Sequence, residues 1–308
     1  YESLKEMAAY YAACGVTSFA PASMTLPYDV LAKAFANAKK LVEEKPEGLS
    51  VLRGVQMEGP YFSYAKRGAQ NPAYIMAPNT DMFRRLQARS GDRIRLVDIA
   101  PEEPGSMEFI AAVKDSVTVS LAHTTANYDT AAAAYKAGAS HATHLYNGMP
   151  SIHHRNPGVI PAGVENPNVQ AEIICDGFHI HPASVRLAFA MFKNRMIIVS
   201  DSGRCAGQPE GYQFDLGGQM AEIRGGVAKL VGSDTIACSA SDMWKCLVNT
   251  ISWGVPEEEA VCAATWNPAC AISAQKEIGS IEEGKLADFL VCAPDYSSKR
   301  VFLGGKEL

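Results

Sequence analysis

The chain has 308 residues, 47% of them hydrophobic and 20% charged, with 25 glycines and 17 prolines; such a composition can bury a core and excludes an intrinsically disordered chain. Its 28 basic and 33 acidic residues give a formal net charge of -5, and the cations are scattered, which argues against nucleic acid as a partner. No apolar run approaches the roughly 18 residues of a membrane-spanning helix, the first residues show no basic-then-apolar leader, and the eight cysteines form no C-x-x-C pair. The expectation is a cytoplasmic protein with reduced thiols and no membrane partner.

The chain starts at Tyr1, without a methionine, in a helical pattern (Leu4, Met7, Ala8, Tyr11). Short β-branched or apolar runs then recur at 16–20, 51–57, 94–99, 117–122, 140–144, 169–175 and 196–200. Between them lie amphipathic or Ala-rich stretches, among them 28–44, 82–88, 107–113, 128–137 and 183–192. This alternation predicts right-handed βαβ units on a parallel sheet, either doubly wound or closed. No G-x-G-x-x-G or G-x-x-x-x-G-K-[ST] follows the early strands, which weighs against a dinucleotide or P-loop fold.

Ionisable residues fall at the carboxyl ends of the runs: Glu58 after 51–57, His123 after 117–122, His144 at the end of 140–144, Asp176 and His179 after 169–175, and Asp201 after 196–200. Barrel enzymes assemble their sites from several strand ends in this way, whereas a doubly wound sheet uses fewer. A TIM-type (β/α)8 barrel is therefore predicted. Seven strand runs are present where a closed barrel needs eight, and the first strand is the one expected to be missing. Beyond Asp201, 203–226 reads as a Gly-rich loop and 241–252 and 256–264 as helices, with short strands in the tail. The expected division is a barrel over 1–278 and part of a small β-sandwich over 279–308.

Glu58, His123 and His144 would converge on the barrel axis, and a three-ligand set leaves room for water on a catalytic metal. Each alone also fits a hydrogen-bonded structural role. His141 and His144 are three apart on an extended segment and so should face opposite ways; His144 is expected inside, His141 as a supporting residue. Asp201 suits a general base beside a metal, although Asp201-Ser202-Gly203 is also ordinary turn chemistry. The loop from His144 to Gly158 carries His153, His154 and Arg155, the arginine being suited to a phosphate or carboxylate. Gln70 and Asn71, in a second polar loop, could reach sugar hydroxyls or an amide.

Together these motifs resemble the amidohydrolase superfamily and, within it, the N-acetylglucosamine-6-phosphate deacetylases. The resemblance is carried by Gln56-Met57-Glu58-Gly59-Pro60-Tyr61, by Lys66-Arg67-Gly68-Ala69-Gln70-Asn71-Pro72, by 139–150 around Thr143-His144-Leu145-Tyr146-Asn147-Gly148-Met149-Pro150, by Asp176-Gly177-Phe178-His179 and by Val199-Ser200-Asp201, with a tail signature at 279–289. It implies a homodimer that hydrolyses the acetamide of an amino-sugar phosphate with a divalent ion, zinc or iron. In that likeness Glu58, His123 and His144 hold the metal and Asp201 is the acid/base. Gln70, Asn147, Gly148, Arg155 and His179 fall at substrate positions, Arg155 reaching across the dimer.

The sequence departs from that pattern at Arg204, Cys205 and Cys238, and no His-x-His lies on its first strand run, 16–20. Another N-acyl sugar or a cyclic amide as substrate, or a catalytically silent sugar-phosphate binder, are the alternatives.

Overall fold

The computed structural model describes residues 1–308. Helix α1 (Glu2–Ala13) leads to β1 (Ser18–Phe19) and α2 (Tyr28–Glu44), and the run 51–57 forms two short strands, β2 (Val51–Leu52) and β3 (Val55–Met57). Then follow α3 (Thr80–Ser90), β4 (Ile94–Ile99), α4 (Ser106–Val113), β5 (Thr118–Leu121), α5 (Tyr128–Ala137), β6 (His141–Ala142), α6 (Val159–Glu165), β7 (Gln170–Ile174), α7 (Pro182–Phe192) and β8 (Met196–Val199). Helix ends follow local chemistry. Asn79 and Asn127 each accept the N–H three residues on, capping α3 and α5, because a short polar side chain replaces a partner that the helix cannot supply. In α2 the stripe Leu31, Phe35, Ala38 and Leu41 is buried, the helical period that faces a core.

Strands β3 to β8 pair in parallel and in chain order. Strand β1 pairs in parallel with β2, and an Ala22–Gln56 bridge ties it to β3. The seven predicted runs thus stand side by side as a curled parallel sheet with helices outside, a barrel whose end strands β1 and β8 do not pair. The parallel strands bury Val97, Ile99, Val119, Leu121, Ile173 and Ile198 in one continuous core with the helices, as strands covered on both faces require.

The stretch after Asp201 differs from expectation. Instead of a loop it forms an antiparallel sheet of β9 (Gln213–Leu216), β10 (Gln219–Arg224), β11 (Val227–Leu230) and β12 (Ile236–Cys238). Its first two turns are the pairs Gly217-Gly218 and Gly225-Gly226, all with positive φ, the backbone that two-residue hairpins need. Helices α8 (Met243–Ser252), α9 (Glu257–Ala264) and α10 (Trp266–Ala271) follow, and the tail forms β13 (Phe289–Cys292), β14 (Lys299–Leu303) and β15 (Lys306–Glu307) in a second antiparallel sheet. Arg53 holds the tail to the barrel, with Nη1 2.8 Å from Glu277 and Nη2 3.8 Å from Asp288. No helix is long and apolar enough to cross a membrane.

Candidate metal centre

Glu58 stands directly after β3, while His123, His144, Asp176 and Asp201 each lie two residues beyond the last residue of β5, β6, β7 and β8. Parallel strands in similar register thereby bring five side chains to one end of the barrel. Three of them turn left-handed to get there: φ is 45° at His123, 33° at His144 and 47° at Asp201. That backbone is unfavourable for residues with a Cβ and collects at functional sites.

The first three converge. Nε2 of His123 is 3.1 Å from Glu58 Oε1 and 3.1 Å from Nε2 of His144, which is itself 3.6 Å from Glu58 Oε1. A tetrahedral ion with ligands at about 2.0–2.1 Å requires donor atoms about 3.3 Å apart, so the trio has the spacing of a metal set. The residues are buried, and no other group of three His, Cys, Asp or Glu residues meets the same condition. His123 Nδ1 lies 2.8 Å from Lys66 O, a bond that places the proton on Nδ1 and leaves Nε2 to coordinate. Without an ion the carboxylate is stabilised by the rings: burial alone would raise Glu58, but His123 and His144 beside it hold it at about 2. Burial likewise opposes the charge on His144, yet Glu58 lifts it to about 9. The pocket favours positive charge among these donors, which a divalent ion would supply.

Around them lies a cavity of about 1830 Å³ that reaches from the strand ends to the space between β1 and β8, lined by Glu58, Gln70, His123, His144, Asn147, Gly148, His179 and Asp201. Gln70 is oriented by the chain itself: its Oε1 accepts from Thr25 N–H at 2.8 Å, so its Nε2 donates to Glu58 Oε1 at 3.2 Å. The Asn147 amide donates to the carbonyls of His144 and Leu145, both at 3.2 Å, which leaves Oδ1 for a ligand. At Gly148 φ is +60°, and a Cβ there would stand 2.9 Å from His123 Nδ1; glycine is what lets this loop pass over the ring. His179 has Nδ1 2.7 Å from Asp176 Oδ2, presenting Nε2 outward. Burial would raise Asp176, but the bond from His179 draws it down to about 2.

Asp201 is half-buried, and its backbone carbonyl accepts from Ser239 N–H at 2.8 Å. Burial, then the Glu58 carboxylate, push it up to about 7 against the opposing pull of His144, in the range of a general base. Arg155 is exposed, beside His154, and does not line the cavity. Arg204 does line it, while Cys205 and Cys238 are buried with their sulfurs 3.6 Å apart.

Two residues escaped the sequence. Thr25 and Lys66 act through backbone atoms, which carry no residue-type signal. Asp176, expected at a strand end, serves by holding His179. His141 also serves the barrel interior, with Nε2 3.1 Å from Glu172 Oε1; the expected opposition of His141 and His144 fails because the left-handed turn at His144 breaks the strand alternation.

The amidohydrolase family model matches residues 1–308. The N-acetylglucosamine-6-phosphate deacetylase of Vibrio furnissii is 32% identical over 308 residues, covering 99% of this chain and 76% of its own length. The N-acetylgalactosamine-6-phosphate deacetylase of Escherichia coli O157:H7 is 30% identical over 305 residues, covering 98% and 80%. A solved mutant of the Mycobacterium smegmatis N-acetyl-D-glucosamine-6-phosphate deacetylase, in complex with N-acetyl-D-glucosamine-6-phosphate, superposes with a TM-score of 0.91 at 29% identity over 97% of this chain and 78% of that one. Barrel, strand-end donors and sequence likeness over the whole length agree: the chain belongs to the amidohydrolase family.

Proposed function

We propose that the protein hydrolyses N-acetylglucosamine 6-phosphate to glucosamine 6-phosphate and acetate in amino-sugar catabolism. The observation that carries this is the convergence of Glu58, His123 and His144 in one cavity with Asp201, in a chain whose full-length relatives are named for this deacetylation. Glu58, His123 and His144 would hold a divalent ion, which we take to be zinc and which would supply polarisation of the acetamide carbonyl and of water. Asp201 takes the proton from the attacking water and delivers it to the departing amine nitrogen, so that acetate and a free amine result. Gln70 orients the N-acetyl group with its Nε2, while Asn147 Oδ1, the backbone at Gly148 and His179 Nε2 hold the sugar and its phosphate. Arg155, exposed on one chain, serves the phosphate of the partner in a homodimer. Eight free cysteines fit a reducing, cytoplasmic setting.

The Escherichia coli relative favours a second substrate, the C4 epimer N-acetylgalactosamine 6-phosphate. Acetate release from both sugar phosphates, with metal content measured on the same sample, tests the proposal. Release from the gluco epimer with one ion per chain is expected. Preference for the galacto epimer replaces the substrate, and bound metal with no release from either supports a silent sugar-phosphate binder.

A further inference from the structure

Strand β6 ends at Ala142, and the next residues draw their backbone partners from both neighbouring strands. Thr143 N–H donates to Leu121 O at 3.1 Å on β5, and Leu145 N–H donates to Glu172 O at 2.8 Å on β7. Between them the left-handed turn at His144 takes its N–H out of the ladder. The acceptor it meets is the Glu172 carboxylate, with Oε2 at 3.4 Å. The other oxygen of that carboxylate, Oε1, lies 3.1 Å from His141 Nε2. His141 is wholly buried and Glu172 is 6% exposed. Because His141 Nδ1 has no partner, Glu172 alone orients the ring.

A buried polar pair of this kind gives a barrel little stability over apolar packing of the same volume. Its effect lies in what it holds, the backbone that aims His144 Nε2 at Glu58 and His123. We infer that His141 and Glu172 are a positioning pair for the metal centre: Glu172 anchors the His144 turn and His141 fixes Glu172, which presupposes Glu58, His123 and His144 as ligands. Neither residue touches substrate or the reacting atoms.

The test measures Zn2+ affinity of the metal-stripped full chain by competition with a chromophoric chelator, together with the visible spectrum of the Co2+-loaded protein. Glu172→Ala is expected to weaken Zn2+ binding by about 10- to 100-fold, the usual effect of losing a residue behind a ligand, and to move the Co2+ bands. Glu172→Gln keeps an oxygen for His144 N–H and an amide for the other tautomer of His141, so it should stay within about threefold of wild type. His141→Ala should weaken binding by less than Glu172→Ala, and His141→Gln should restore it.

A folded Glu172→Ala protein with wild-type affinity and spectrum overturns the inference. So does an equal loss in Glu172→Gln and Glu172→Ala, which would assign the effect to charge. If Glu172→Ala does not fold, His141→Ala decides: unchanged affinity overturns the inference and weakened affinity supports it. A wild-type chain that takes up no stoichiometric Zn2+ refutes the metal centre itself, a failure visible before any variant is compared.

Discussion

The ends of β3, β5 and β6 and the ends of β7 and β8 face the same cavity but are built differently. In the first group Glu58, His123 and His144 have donor atoms 3.1–3.6 Å apart, and His123 is further fixed by Lys66 O. In the second group His179 is pinned by Asp176, whereas the Asp201 carboxylate has no strong partner and is raised, by burial and then by Glu58, to about 7. An interlocked set suits holding an ion, because rigid donors lose little freedom on binding. A loosely partnered carboxylate of raised affinity for protons suits carrying one back and forth. One end of the cavity is organised for geometry and the other for exchange.

That contrast can be broken most sharply at His144. His144→Asn should strip the ion and reduce acetate release to background; a variant with wild-type metal content would show that the trio is not the centre. Asp201→Asn should keep the ion yet lower kcat by about 10²–10⁴-fold, the usual worth of a positioned acid/base. If metal content falls along with turnover, the two groups are not separate.

Third comes Asp176→Asn, read as stability against pH. The folded value of Asp176, about 2 against an ordinary 3.8, is depressed, so its contribution is complete above about pH 4 and disappears as pH falls through about 2. The variant should lose about 2 kcal/mol at pH 7 and converge with wild type near pH 2; a pH-independent gap in denaturant midpoint would contradict this. The smallest effect is expected at Gly148→Ala, where left-handed backbone costs about 1–2 kcal/mol. The added Cβ also presses on His123, so metal affinity should fall with thermal stability; a stable variant with unaltered affinity would show that the loop yields instead.

The barrel was legible because periodicity and burial agree there. Helices at 28–44 and 128–137 match α2 and α5 to the residue, since each has a buried stripe and α5 is also capped by Asn127. The sheet of β9 to β12 was missed because its strands are short and partly exposed, so glycine content outweighed alternation. Helices α6 and α10, with 7 and 6 residues, are too short to show a period. Glu58, His123, His144 and Asp201 could be read from their place at strand ends. Glu172 could not, although a carboxylate inside the apolar run 169–175 was a signal that something within the barrel had to receive it. Arg155 was found by residue type and lies on the surface, outside the cavity, so the role proposed for it would need a second chain.

The left-handed turns at His123, His144 and Asp201 also bear on how quickly the site can be filled. Because folding has already fixed these backbones, an incoming ion meets donors in place and needs no loop to reorganise around it. Loading should then be limited by shedding the ion's hydration shell and displacing the proton that Glu58 favours on His144. Exchange between divalent ions would accordingly rank by their water-exchange rates, and a stopped-flow comparison would read the strain in the chain as speed.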